Sequence, residues 1–207
     1  MANVTRTSSS IEPRRRPAQA EGPSRRLLGA MIGGAVVLVA IAAVAVWLIF
    51  ADGSSSPKAS TQTVSPIAPV ALSASGLHTL TTTLNKAHGQ PIYWAGTKSG
   101  DLYELRRTSN GNVYIRYLPR NVKAGSPAAS YLTVATYPFT GAYAALQKVA
   151  GNNRVSIPGG GIAVVDKKDP KSVHVAYPNV NYQVEVYDPS PATALSVASS
   201  GKVRPVG

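Results

Sequence analysis

The chain has 207 residues, no cysteine and a formal net charge of +12 at pH 7. The lack of cysteine excludes disulfides, thiolate zinc sites, cysteine nucleophiles and lipidated cysteines. The excess of positive charge favours anionic partners such as polymers or lipid head groups, and a solvated lysine-rich surface is the alternative.

Residues 1–26 combine Ser, Pro, Ala and Arg without apolar periodicity, which is typical of a disordered basic tail. Residues 27–50, LLGAMIGGAVVLVAIAAVAVWLIF, form a run of 24 residues without a charged side chain. At about 1.5 Å per residue, a helix of this length crosses a hydrocarbon core of about 30 Å. The run therefore predicts one transmembrane helix.

The basic side chains crowd one end of that helix. Arg25 and Arg26 precede it, whereas Lys58 is the first basic residue after it. The positive-inside rule places the N-terminus in the cytoplasm and the rest of the chain outside the cell membrane. The apolar run is too long for a cleaved signal peptide, so we expect an uncleaved single-pass anchor. We expect Arg25 and Arg26 at the inner interface with anionic lipid and Trp47 at the outer interface.

Two glycines in the predicted helix stand four residues apart, at Gly29 and Gly33. Such a G-x-x-x-G step allows two membrane helices to approach closely, so it favours a homodimer through this segment. The alternative is that Gly and Ala are simply frequent in membrane spans.

Residues 51–73 are dominated by Ser, Thr, Pro and Ala and predict a flexible linker. Beyond them we expect one extracytoplasmic domain over 74–200, followed by a short tail over 201–207. Asn110-Gly111 between alternating β-formers is a strong hairpin signal, and Thr140 is the expected cap of the second helix. The predicted helices are 75–88, 140–150 and 191–199, and the predicted strands are 91–94, 102–107, 113–118, 131–137, 154–157, 162–166, 173–177 and 182–187.

The order of these elements suggests an internal repeat of residues 75–137 and 140–188. At an offset of 60, Val113 and Ile115 align with Val173 and Val175. We therefore expect an α+β fold with two αββββ-like units, a mainly antiparallel sheet, helices covering one face and a C-terminal helix. Chance similarity between alternating strands is the alternative.

Strand alternation assigns the side chains to two faces. Val113, Ile115 and Tyr117, with Val173, Val175 and Tyr177, are expected under the helices, which leaves an outer face for function. Aromatic rings and cations on one surface bind sugars or anionic polymers by stacking and charge, and a solvated face is the alternative. The expected ligand-binding residues are Tyr103, Arg106, Tyr114, Arg116 and His174.

Signatures of catalysis are sparse. His78, His88 and His174 lack metal-ligand spacing, and no serine-hydrolase motif occurs. Glu104 and Glu185 lie in predicted strands, where a pair about 5 to 10 Å apart serves glycan hydrolysis. Each carboxylate is alternatively expected to pair with a neighbouring Arg. We assign no catalytic residue, no metal site and no cofactor.

The segments PIYWAGTKSGDLYELRRTSNGNVYIRYLP, YLTVATYP, IPGGG and YQVEVYDPSP resemble uncharacterised single-pass membrane proteins of actinobacteria. The resemblance covers about residues 90 to 190. It implies an envelope protein and supplies no catalytic residue.

The sequence thus predicts a membrane-anchored protein that presents an extracytoplasmic binding or interaction module. The expected partners are membrane lipid and an anionic wall polymer or another envelope protein, and not nucleic acid. A glycan-acting envelope enzyme and a sensor or accessory subunit of an envelope complex are the alternatives.

Overall fold

Residues 64–207 are described by a computed structural model of the protein. The predicted tail, the transmembrane helix and most of the linker lie outside this range, and so do Arg25, Arg26, Gly29, Gly33 and Trp47. Those expectations therefore stay predictions. Within residues 64–207, no helix is both long and apolar enough to cross a bilayer.

Residues 64–207 form an α+β fold with a mainly antiparallel sheet and three helices, which confirms this part of the predicted fold class. The helices are α1 (Ala74–His88), α2 (Ala142–Ala150) and α3 (Pro191–Ser199). The strands are β1 (Ile67–Leu72), β2 (Tyr93–Trp94), β3 (Asp101–Arg107), β4 (Val113–Pro119), β5 (Thr133–Pro138), β6 (Val155–Ile157), β7 (Gly161–Val165), β8 (Ser172–Ala176), β9 (Tyr182–Tyr187) and β10 (Arg204–Pro205).

Eight strands form one sheet in the order β1-β3-β4-β5-β9-β8-β7-β6. Every neighbouring pair is antiparallel, and β5 and β9 meet at the centre with Thr136 opposite Val184. Strands β2 and β10 form a separate two-stranded ladder. The predicted strand at 91–94 thus exists, but it does not belong to the main sheet.

The folded domain extends beyond both of its predicted boundaries, residues 74 and 200. The linker prediction is wrong for residues 67–72, because they form β1 at the sheet edge, where Leu72 pairs with Tyr103 of β3. Pro69 and an irregular register after Ile67 hide the alternation of this strand. The tail prediction is also wrong, because Val203 and Val206 are buried on either side of β10.

The helix ends follow local chemistry at α1 and α3. Ser73 Oγ accepts a hydrogen bond from the Gly76 amide at 3.1 Å, and Gly89 ends α1 with φ 61°. Ser190 caps α3 in the same way through the Thr193 amide. The predicted cap at Thr140 is wrong, because the N-cap of α2 is Gly141, without a side-chain bond.

The sheet has two different sides. The core face carries Leu105, Ile115, Val175 and Val186 and packs beneath α1 and α3, which confirms the predicted inward positions of Val113, Ile115, Tyr117, Val173, Val175 and Tyr177. The opposite side, which we call the polar face, carries Glu104, Arg116, His174 and Glu185. Helix α2 packs on this face through Ala142, Leu146 and Ala150 against Ile162, Val164 and Ala176. The expectation that all helices cover one face is therefore wrong.

The two predicted repeat units agree only in their last three strands. Strands β3, β4 and β5 run towards the centre of the sheet, and so do β7, β8 and β9. The first strands differ, because β6 forms one edge of the main sheet, whereas β2 lies outside it and the other edge is β1, which precedes residue 75. However, Leu105 pairs with Ile115, whereas Val165 pairs with Val173, so the two hairpins differ in register by two residues. This even difference keeps each side chain on its face. Helices α1 and α2 lie on opposite faces, so the units do not match as wholes, and duplication stays a prediction.

Candidate functional site

The five expected ligand-binding residues do not share one exposed surface. Tyr103 is only 2% exposed on the core face, and its hydroxyl accepts a hydrogen bond from the Lys98 amide at 2.8 Å. The other four, Arg106, Tyr114, Arg116 and His174, do lie on the polar face, because their strands pair with these positions in register.

The polar face was expected to be exposed to solvent. In the structure, other segments of the chain cover it. Arg116 is 9% exposed and His174 is fully buried, while Arg106 and Tyr114 are half-buried. Helix α2 covers the second half of this face, and residues 120–132, here called the covering loop, bond to the first half. The strand pattern gave the correct face for Tyr114, Arg116 and His174. The expected place of Tyr103 beside them was wrong, and the pattern gave no information about what packs on the polar face.

Glu104 and Arg116 hold the covering loop on the sheet. Arg116 Nη1 donates to Glu104 Oε1 at 3.0 Å and also to the Ser126 carbonyl at 2.9 Å. The Gly125 amide donates to Glu104 Oε2 at 2.7 Å. The Arg116 guanidinium lies 5.3 Å from the ring centre of Tyr131. Both charges are therefore used within the fold.

Glu185 has an equally structural set of partners. The Tyr137 hydroxyl donates to Oε2 and the Ser172 hydroxyl to Oε1, both at 2.6 Å. Burial, together with the nearby charge of Glu185, raises the pKa of Tyr137 well above its ordinary value. Each carboxylate oxygen of Glu185 thus accepts a bond from a buried hydroxyl.

Glu104 and Glu185 do not form the acid and base pair that glycan hydrolysis requires. Glu104 lies on β3 and Glu185 on β9, three strand spacings apart in the sheet order. At about 4.8 Å per spacing this is about 14 Å, well beyond the required 5 to 10 Å. Moreover, Glu104 is paired with Arg116. The hypothesis that Glu104 and Glu185 form a catalytic pair is therefore wrong.

His174 is fixed between two side chains. Gln183 Nε2 lies 2.8 Å from Nδ1, which therefore accepts, and Asp166 Oδ2 lies 3.4 Å from Nε2. This contact with His174 lowers the pKa of Asp166 to about 2, against the opposing effect of burial, and the amides of Lys168 and Asp169 add to the lowering. No cluster of metal-ligating side chains occurs among residues 64–207.

The exposed charged side chains of residues 64–207 are all positive. Every exposed charged side chain is Lys or Arg, and no Asp or Glu side chain of this range is exposed. We call this set the cationic surface. Its members are Lys86, Lys98, Arg120, Lys123, Lys148, Arg154, Lys167, Lys168, Lys171, Lys202 and Arg204.

The carboxylates that are half-buried bond locally instead of facing the solvent. Asp101 pairs with Lys98 at 3.0 Å, and Asp188 accepts from the Ser190 amide at 2.9 Å. Asp166 and Asp169 accept from backbone amides of their own turn. These acidic side chains therefore neutralise only a small part of the positive charge of the cationic surface.

Residues 166–171, here called the lysine hairpin, show the pattern at its densest. Asp166 accepts from the Lys168 amide at 2.8 Å, and Asp169 accepts from the Lys171 amide at 3.2 Å. Because the carboxylates close the turn, the side chains of Lys167, Lys168 and Lys171 remain exposed. The sequence showed the surplus of lysine, but the inward direction of the acids was not visible in it.

No family model, no curated protein and no solved structure matches the chain. The predicted resemblance to actinobacterial membrane proteins therefore stays a prediction.

Proposed function

We propose that the protein is a single-pass membrane protein of the cell envelope that presents residues 64–207 outside the cell as a binding module for an anionic wall polymer. The anchor in this proposal is the apolar run at 27–50, and its orientation rests on the arginines that precede it.

The cationic surface is the observation that carries the binding proposal. Eleven exposed Lys and Arg side chains, with no exposed Asp or Glu in residues 64–207, create a positive field that half-buried carboxylates such as Asp101, the partner of Lys98, offset only in part. Such a field concentrates polyanions and speeds their encounter. Exposed ammonium groups are flexible point charges, so they suit a polymer with repeated charges better than a single planar anion.

The lysine hairpin is the proposed centre of this contact. Three lysines within five residues give several weak attractions that act together once one charged unit is bound. The carboxylates of the turn hold its backbone and leave the ammonium groups to the partner.

Binding of poly(glycerol phosphate) to the full chain in nanodiscs of neutral lipid tests the proposal. We expect binding at about 20 mM salt that weakens strongly at about 300 mM, because salt screens exposed charges. A neutral dextran serves as the uncharged control. Absence of binding to the polyanion at low salt overturns the proposal.

Two triple variants separate the hairpin from total charge. Lys167→Gln, Lys168→Gln and Lys171→Gln together should weaken binding at least about tenfold, since each lysine near an anionic surface contributes about 1 kcal/mol. The matched control replaces Lys86, Lys148 and Lys202 by Gln and removes the same charge. Equal losses in both variants contradict a contact centred on the hairpin.

The membrane part of the proposal has its own test. A protease added to intact cells should remove residues 64–207, while a tag at the N-terminus should stay protected. Protection of the folded domain in intact cells would show that the orientation is wrong.

A further inference from the structure

An open pocket of about 260 Å³ lies at the end of the sheet opposite the lysine hairpin. It is bordered by the start of β9 at Tyr182, by the 108–112 turn and by the segment after α1. Strand β9 ends at Tyr187, which pairs with Ser172 beside the lysine hairpin. The length of β9, about 17 Å, separates the two regions.

The floor of the pocket carries an unused hydrogen-bond acceptor. Gln90 is 5% exposed, and its Nε2 donates to the Gly111 carbonyl at 2.7 Å. Its Oε1 has no hydrogen-bond partner among residues 64–207, and Gln90 lines the pocket. Oε1 is not one of the fully buried atoms that lack a partner, so it is open to the pocket and can accept a hydrogen bond from a ligand in place of water.

Glycine at position 111 keeps this floor open. Its φ is +82°, which side chains rarely adopt, and a Cβ there would lie 3.3 Å from Pro138 and 4.0 Å from Gln90 Oε1. Any larger residue would therefore crowd the space next to the Gln90 acceptor.

The rim adds further uncommitted polar groups. Asn181 uses its Oδ1 to accept from the Gly141 amide at 3.2 Å, and Asn110 uses its Oδ1 to accept from the Thr108 hydroxyl. Both side chains therefore keep their amide N–H donors for a ligand. Thr140 and Tyr182 add hydroxyls, and His88 adds an imidazole.

The chemistry of the lining selects against charged ligands. No Lys, Arg, Asp or Glu of residues 64–207 lines the pocket, so an ion inside it would lose water without gaining a charged partner from this part of the chain. Amide donors, an amide acceptor and hydroxyls match sugar hydroxyls, each of which donates and accepts. The volume lies below the range of about 300 to 1,000 Å³ that is typical of drug-sized ligands, which suits one sugar ring.

We propose that this pocket binds a single neutral sugar ring. The site is separate from the cationic surface and does not depend on it. Saturation-transfer difference NMR tests the proposal on the full chain in nanodiscs, in a buffer without sugars or sugar detergents. The probes are the methyl glycosides of glucose, galactose, mannose and N-acetylglucosamine, with methyl glucuronide as the charged counterpart.

We expect saturation transfer to at least one neutral glycoside and none to the glucuronide. Thr140→Trp, at an exposed rim position, should block the pocket and weaken binding at least about fivefold. Thr97→Trp, at an exposed position before β3, is the matched control and should bind like the parent chain. Tyr182→Phe, which removes one hydroxyl, should weaken binding to a smaller degree.

Three results overturn the proposal. The first is no transfer to any neutral glycoside from the folded chain. The second is equal binding by the Thr140→Trp and Thr97→Trp variants. The third is preference for the glucuronide that disappears in high salt, which would assign sugar binding to the cationic surface.

Discussion

Arg116 donates to Glu104 at 3.0 Å across β3 and β4, and both side chains are buried beneath the covering loop. The same two side chains bond to Gly125, Ser126 and Ala128 of that loop. One ion pair therefore joins two strands to a loop that has no regular structure of its own.

Removal of one partner of the Arg116–Glu104 ion pair should destabilise the domain. Arg116→Met leaves the Glu104 carboxylate buried without its counter-ion, and we expect a loss of about 3 to 5 kcal/mol in the free energy of unfolding. Because Arg120 and Lys123 lie in the covering loop, trypsin should cut the variant there faster than the parent. The double variant Arg116→Met with Glu104→Leu should recover part of the stability, and a double variant less stable than Arg116→Met would contradict this account.

The acid stability of the domain should depend on Asp166. The pKa of its carboxyl falls from 3.8 to about 2 in the folded state. Since the folded pKa is lowered, the charged carboxylate stabilises the fold above about pH 4, and this contribution is lost as the pH falls from about 4 to about 2. The Tm difference between the parent and Asp166→Asn should be largest near neutral pH and shrink in that acid range. A constant difference from pH 7 to pH 2 would assign it to packing instead.

Gly161 has no space for a side chain. A Cβ there would lie 2.7 Å from Tyr177 Cδ1, and the Tyr177 ring is held by its bond to the Val203 carbonyl and by stacking on Tyr93. Gly161→Ala should therefore destabilise the domain by about 1 to 3 kcal/mol in chemical denaturation.

Gly76 provides the matched control for that variant. A Cβ at Gly76 would meet its nearest neighbour at 3.5 Å, an ordinary contact, and the residue lies in α1. Gly76→Ala should be neutral or stabilise the domain by up to about 1 kcal/mol. An equal loss in both variants would count against a specific clash with Tyr177.

Strand β1 should be required for a stable, monomeric domain. Removal of residues 64–73 makes β3 an edge strand. It also takes away Val70 and Leu72, which pack against the core. We expect the 74–207 fragment to melt at a lower temperature than 64–207 and to associate through the free edge of β3. Size-exclusion chromatography and thermal unfolding of both fragments measure this, and equal behaviour would show that β1 is dispensable.

The local signals of the sequence gave most elements of the domain. The alternation at Val113 and Ile115 placed their strand and its inward face correctly, and the helix predicted at 75–88 is observed as α1 (Ala74–His88). These signals work at short range, since a cap bonds within its own turn and alternation depends on the two-residue period of a strand. The cationic excess was visible in the same way, as a count of residues.

The tertiary structure alone decided the environment of each face. The position of α2 on the polar face buried His174, and the covering loop buried Arg116, although both residues occupied the predicted side of their strands. The same holds for β1 and β10, which become strands only because distant partners pair with them. Periodicity fixes the direction of a side chain relative to its own backbone, whereas burial and exposed charge depend on which distant segments pack against it.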